Sequence, residues 1–199
     1  MVKERQEHII RRSTKAFVKK GFSQTNMREI CKACEMSAGS VYHYFGSKEE
    51  ILYAVISSAG SKQAEYLESF ASTLDKKEPG RALASLMRKL FEWHNDNQDV
   101  TLFTYQETRN LPRDAREQIF ESECRIHSVI EGFLIEGAES GEFRVEEPKL
   151  VAHDIMMLAH AWAIRRWLLR KYFDFETYLK VHTDMMLKSL QHVGHGKQD

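Results

Sequence analysis

The sequence predicts an all-α fold of about nine helices, and three observations point to it. Apolar residues recur at three- and four-residue steps over most of the chain, which is the spacing of one helix face. No stretch alternates apolar and polar residues as a half-buried strand does. Three prolines and ten glycines in 199 residues leave little punctuation for many short strands. That length suits one globular domain or two small ones. Apolar residues make up 42% and charged residues 29%, the balance of an ordinary globular protein and not of a collagen or linker.

The elements follow in order. From Glu4 to Lys20, Ile9, Ile10, Ala16 and Phe17 give a first helix an apolar side. Gly21 stops it, and Phe22 folds back on its end. Thr25 or Asn26 caps a short second helix, with Glu29 in its first turn and Met27, Ile30, Cys31 and Cys34 on its inner side. Ser37 caps a third helix over 38–45, with Val41 and Phe45 inward, and Gly46 ends it. Ser47 caps a fourth, with Glu49 and Glu50 at its positive end, running past residue 70. After Pro79-Gly80, a helix over 81–95 carries Leu83, Leu86, Met87, Leu90 and Phe91 on one side. A short helix over 100–109 follows, then one opened by Pro112 that continues to about Gly137. Gly141 and Pro148 bracket a loop. The helix expected over 149–170 is apolar nearly all round and must be buried on several sides. A last helix is expected over 175–193, before a short polar tail, 194–199, that reads as disordered.

Charge separates the chain into two regions. Lys+Arg and Asp+Glu are both 29, so the net charge is zero. Residues 1–50 nevertheless hold ten basic and six acidic side chains, which leaves a head of +4 on a body of −4. Such a head is the part that would meet a polyanion. The longest apolar run, 155–164, is too short for a bilayer, which needs roughly 20 residues. Residues 1–5 lead into mixed charges with no apolar signal core, so the expected location is the cytoplasm. Three cysteines are an odd set and argue against a disulfide framework.

Two short helices joined by a tight turn after a supporting helix make a helix-turn-helix, whose second short helix enters the DNA major groove. The third helix begins with the small residues Ala38, Gly39 and Ser40, which let its backbone approach DNA. It continues with Tyr42, His43 and Tyr44, whose polar tips reach phosphates. At these residues the chain resembles the tetracycline-repressor (TetR) family of bacterial transcription regulators. The resemblance runs from Ile9 to Leu52 and includes Ala16-Phe17, Gly21-Phe22, Thr25 and Arg28-Glu29-Ile30. Its most specific part is the run from Ser37 through Val41-Tyr42-His43-Tyr44-Phe45-Gly46 and Lys48-Glu49-Glu50 to Leu52. One departure is Glu35, where the family usually has glycine in the turn. A left-handed backbone there costs about 1 kcal/mol or more relative to glycine.

The resemblance implies that Ala38, Gly39, Ser40 and Tyr42 face base edges. It implies that Thr25, Ser37, His43, Tyr44 and Lys48 hold phosphates, and that Arg28 reaches a base or a phosphate. It implies a head over residues 1–48 and an effector-binding and dimerisation body over residues 49–199. The regulator expected is a homodimer, a repressor of a palindromic double-stranded operator, with its two heads meeting major grooves about 34 Å apart. Trp162, Trp167, Leu179, Met186 and Leu190 are the residues expected at the dimer seam or in the core beneath it. Phe91, Trp93, Phe103, Tyr105, Phe133 and Trp162 read as an aromatic pocket lining, and Arg109, Arg113 and Arg116 as an anion-binding mouth. Together they fit an acyl-CoA or fatty-acid effector. A neutral aromatic drug fits the lining nearly as well, and a regulator controlled by a protein partner is the alternative.

Other signals have plainer readings. Cys31-x-x-Cys34 has zinc spacing but no second ligand pair nearby, so packing is expected and no metal. His153 and His160 share one helix side and read as core or interface residues. The pairs Met156-Met157 and Met185-Met186 read as filling for irregular gaps. No nucleophile elbow or phosphate loop is present, so no catalytic residue and no cofactor are assigned.

Overall fold

The computed structural model describes residues 2–191. Their order is α1 (Val2–Lys20), α2 (Met27–Cys34), α3 (Ala38–Tyr44), α4 (Lys48–Ala71), α5 (Pro79–Asp96) and α6 (Gln98–Glu107). A 3-10 turn (Thr108–Asn110) leads to α7 (Arg113–Glu139), α8 (Pro148–Ile164), α9 (Arg166–Leu169) and α10 (Phe175–Leu190). The fold is all-α, and the only strand-like pairing among the described residues is an isolated antiparallel bridge between Phe143 and Gln191. None of the described helices is long and apolar enough to cross a membrane.

Two expectations are corrected. The single helix expected over 149–170 is two, because the apolar run ends at Ile164 and Arg165 leaves helical geometry (φ −102°, ψ 15°). The exposed Arg165 guanidinium then lies over the Trp167 ring, 5.3 Å from its centre. The helix expected to reach Val193 ends at Leu190, and Val193 and the tail 194–199 lie outside the described residues.

The chain forms two compact units. The first comprises residues 1–62 and 99–123. Ile9 and Phe17 of α1, Ile30 of α2 and Val41 of α3 are wholly buried there with Ile51, Leu52, Val55 and Ile56 of α4. The second segment adds Phe103, Leu111 and Ile119 to this core. Phe17 meets Phe22 edge-on (5.5 Å) and stacks on Phe103 (5.9 Å, 9° between planes).

The second unit comprises residues 63–98 and 124–199. Here α5 packs chiefly on α8, setting Leu83, Leu86, Met87, Leu90 and Phe91 against Ala152, Ile155, Met156, Ala159 and Trp162. Leu179, Met186 and Leu190 of α10 join the same core. Phe143 seals the end of α7. A Cβ on Gly137 would sit 2.0 Å from Phe143 Cδ2, so only glycine fits. Gly137 O accepts from Phe143 N (2.9 Å), and Leu190 O from Arg144 N (2.7 Å).

Candidate nucleic-acid interface

The head is built from its helix ends. Gly21 ends α1 in the left-handed region (φ 84°), and its N–H donates to Phe17 O at 2.7 Å. Asn26 caps α2 in a reciprocal box: Glu29 N donates to Asn26 Oδ1 (3.0 Å) and Asn26 N to Glu29 Oε2 (3.1 Å). Glu29 also pairs with Lys20, and this partner, followed by the Asn26 amide, holds its carboxyl below the usual range. The turn then uses Glu35 in the left-handed conformation (φ 55°, ψ 37°), with Met36 N donating to Cys31 O at 3.1 Å. The turn thus keeps its left-handed residue despite the side chain, and Arg12 Nη2 reaches Glu35 Oε1 at 3.3 Å. His8 Nε2 donates to Cys34 O (2.9 Å), tying α1 to the end of α2.

Ser37 caps α3, accepting from Ser40 N at 3.1 Å, and its hydroxyl lies 2.8 Å from the Ser40 hydroxyl. Phe45 is not part of α3 but its buried C-cap. Val41 is the buried anchor of α3, while Ala38, Gly39, Ser40, Tyr42 and His43 are exposed. Tyr42 is 51% exposed, a large outward area for an aromatic side chain. A Cβ on Gly39 would meet nothing within 4 Å. The smallness of that position therefore answers no need of the protein's own packing. It leaves the start of α3 open to a close approach from outside. Tyr44 is half-buried, with the His43 ring edge-on at 5.1 Å. Arg28 is exposed in the first turn of α2.

Two residues expected at phosphates have internal duties. Thr25 is 1% exposed and its hydroxyl donates to Gly21 O at 2.8 Å, so its side chain shapes the turn before α2. Lys48 is half-buried, donates from Nζ to Phe22 O (3.0 Å) and lies 4.1 Å from the Phe22 ring centre. It clasps the start of α4 to the chain that follows α1. Cys31 and Cys34 are buried free thiols, and burial followed by the neighbouring Cys31 pushes the Cys34 thiol up.

The residues expected to line a pocket are divided between the two units. Phe103 belongs to the core of the first unit, where its face is taken by Phe17. Tyr105, also in the first unit, is partly exposed, and burial with the charge of Glu123 pushes its hydroxyl up to about 12. Arg109, Arg113 and Arg116 are exposed in that unit, Arg113 pairing with Glu117 at 3.0 Å. Phe91, Phe133 and Trp162 share the core of the second unit, where Phe91 and Trp162 both meet Tyr178 (6.1 and 5.0 Å). Trp93 is half-buried against Tyr66 (5.3 Å).

The sequence reading missed a polar group in that second core. The Gln63 amide donates to His94 Nε2 at 2.8 Å, and the His94 ring meets His160 edge-on at 4.4 Å. Burial, reinforced by His160, holds His94 well below the usual imidazole value; burial and then His153 bring His160 down to about 4. At the next residue, Asn95 Oδ1 accepts from Trp162 Nε1 (2.9 Å) and Gln98 Nε2 (3.1 Å). The signal was available: His94 continues the step through Met87 and Leu90 on the buried side of α5.

Comparison with known proteins bears on both units. A family model of bacterial regulatory proteins, tetR family, matches residues 9–55, and one of a tetracyclin repressor-like C-terminal domain matches residues 76–167. The chain is 26% identical over 180 residues to the HTH-type transcriptional regulator HbdR of Aromatoleum sp. (strain CIB), covering 90% of this chain and 78% of that protein. Among solved structures it is similar to the Bacillus subtilis regulator FadR in complex with stearoyl-CoA, with a TM-score of 0.78 at 19% identity, covering 93% of this chain and 99% of that one. It is also similar to AibR in complex with isovaleryl coenzyme A and operator DNA, with a TM-score of 0.74 at 19% identity, covering 91% and 97%. These structural likenesses show the fold.

Proposed function

The chain belongs to the tetR family of bacterial transcription regulators, and from that membership we propose a homodimeric repressor, released from a palindromic operator by an acyl thioester of coenzyme A. Residues 1–48 read the DNA, and residues 49–199 sense the effector and pair the two copies. One observation carries the DNA reading: the exposed strip of α3, with an unfilled Cβ position at Gly39 and an outward Tyr42. Ala38, Gly39, Ser40 and Tyr42 meet base edges. Ser37, His43, Tyr44 and Arg28 meet the backbone, and the start of α4 offers amides to a phosphate.

Exposed apolar residues on the last two long helices support pairing. Val181 and Met185 are half exposed on α10, as are Leu150 and Met157 on α8. Trp162, Leu179, Met186 and Leu190 lie in the core beneath, while Trp167 is exposed. A four-helix seam between two copies covers these faces, and obligate interfaces of this kind bury on the order of 2,000 Å² or more. Sedimentation should give a dimer at micromolar concentration, and a monomer would contradict the pairing.

The acyl-thioester reading is supported by what the two similar structures were solved with, stearoyl-CoA and isovaleryl coenzyme A. Release requires that the effector bind the non-DNA state better than the DNA-bound state. The decisive assay compares DNA release by long-chain acyl-CoA, free fatty acid and aromatic cations. Release by the thioester is the expected result. Release by the cations alone would sink the acyl reading.

A further inference from the structure

The connector between α8 and α10, residues 165–173, sets three aromatic rings into solvent. Trp167, Tyr172 and Phe173 are 63%, 71% and 49% exposed, and no other stretch of that length among the described residues carries more than one such ring. An ordered backbone holds them out. The amides of residues 168–173 all donate to carbonyls of residues 165–169, at 2.9 to 3.2 Å, and the Leu169 side chain leans on the core of the second unit. The Arg165 guanidinium over the Trp167 ring steadies that side chain as well. Rings displayed on a fixed backbone lose little freedom when something covers them.

The same nine residues carry Arg165, Arg166, Arg170 and Lys171 and no acid. On α10 the ion pairs are Glu176 with Arg88 and Asp184 with Lys180, and among the described residues no carboxylate pairs with Arg165, Arg170 or Lys171. Yet the second unit is rich in acid. Outside the connector it holds seventeen Asp and Glu against eleven Lys and Arg, a charge of −6 beside the connector's +4.

Outward aromatic rings among arginines are the composition of the residues that carry most of the energy in protein interfaces. A nucleic acid or an anionic lipid surface would attract the connector, but the −6 remainder of the unit would repel it. A second copy of the chain suits both, because each +4 connector then meets the other copy's excess of carboxylates. The connector is also continuous with the two helices of the pairing face, α8 before it and α10 after it. A stable pair takes roughly 1,000 Å² from each copy. Leu150, Met157, Val181 and Met185, only 38–59% exposed, fall well short of that. The three rings add about 350 Å².

We propose that residues 165–173 are a pairing arm: Trp167, Tyr172 and Phe173 seat on the second unit of another copy, and Arg165, Arg170 and Lys171 pair with its carboxylates. A two-fold pair uses the arm twice. The inference rests on the homodimer reading, and it adds to the helix seam a contact that is aromatic and sensitive to salt.

The test follows the full chain by sedimentation with fluorescence detection, from nanomolar to micromolar concentration, at about 0.1 M and about 0.5 M salt. Wild type is set beside Trp167→Ala/Tyr172→Ala and Arg170→Glu/Lys171→Glu, each first checked for its fold by circular dichroism. All four positions are exposed, and two variants keep the inference testable if one does not fold. Wild type should pair more weakly at the higher salt. Both variants should raise the dimer dissociation constant about tenfold or more, and the charge variant should not weaken further with salt. Variants that pair as wild type does overturn the inference and leave the helix seam standing. A wild type that is monomeric throughout overturns the homodimer reading and the arm with it. The same proteins are titrated with phosphatidylcholine–phosphatidylglycerol vesicles and with DNA lacking an operator. If the charge variant loses binding to either while pairing is unchanged, the connector belongs to that surface and the inference is overturned.

Discussion

Acid should loosen the second unit by way of His160, and the size of the effect follows from its burial. The ring meets His94 edge-on at 4.4 Å, and burial followed by His153 lowers it to about 4 from the ordinary 6.5. Between these values the unfolded chain binds a proton that the folded chain refuses, so stability rises with pH. Its contribution is complete above the unfolded value and is lost as pH falls from there towards the folded one. Going from about pH 7.5 to about pH 5 should therefore remove about 2 kcal/mol through His160 alone. His94 is lowered by burial and by His160, and adds in the same direction. The carboxylates held low by partners, Glu68 by Arg125 and Glu176 by Arg88, lose their contributions only at lower pH, below the ordinary carboxylate value of 4.5. Urea unfolding followed by circular dichroism across this range checks the prediction, with His160→Leu as the comparison. The variant should be flatter than wild type by that amount. Equal slopes in the two proteins would refute the reasoning, as would a wild type whose stability is unchanged at about pH 5.

Further outcomes follow for both units. Glu35→Gly relieves a left-handed side-chain-bearing residue (φ 55°), and should raise stability in denaturant melts by about 0.5–1 kcal/mol, since the exposed Arg12 pair it removes is worth little. Lys48→Ala removes the bond to Phe22 O and the cation over its ring. It should cost about 1–2 kcal/mol, and an unchanged melting temperature would show the clasp to be idle. Tyr42→Ala should weaken operator binding about tenfold in a gel-shift titration while stability stays within about 0.5 kcal/mol, because the ring is half exposed. Gly137→Ala drives a methyl into the Phe143 ring and should cost about 2–3 kcal/mol in the same melts.

The helix-turn-helix was legible because its signals are local. Gly21, Asn26 with Glu29, and Ser37 stand next to the ends they cap, and each makes the bond its residue type implies. The helical pattern of the body was legible for the same reason. What escaped were partnerships across the chain. Phe103 reads from its neighbours as a body residue, and only the folded chain shows it against Phe17. Lys48 reads as a phosphate ligand, and only the folded chain shows Phe22, 26 residues earlier, under its ammonium. His94 occupies a core position in an apolar stripe, but its link to Gln63 depends on how α4 and α5 pack. The break at Arg165 was hidden because apolar residues resume at Trp167, directly after Arg165 and Arg166.

The core around Phe17 is discontinuous in the chain, and this limits how heads can be exchanged among relatives. Residues 1–62 do not contain everything that covers Phe17, Ile51 and Ile56, since Phe103, Leu111 and Ile119 come from residues 99–123. A chimera that grafts only the first 62 residues onto a foreign body sets the Phe17 face against whatever that body carries in place of Phe103. A transplant of DNA specificity that leaves this packing untouched is confined to the outward residues of α3, Ala38, Gly39, Ser40 and Tyr42, none of which enters the core. A cassette for the whole head has two pieces, and they must travel together.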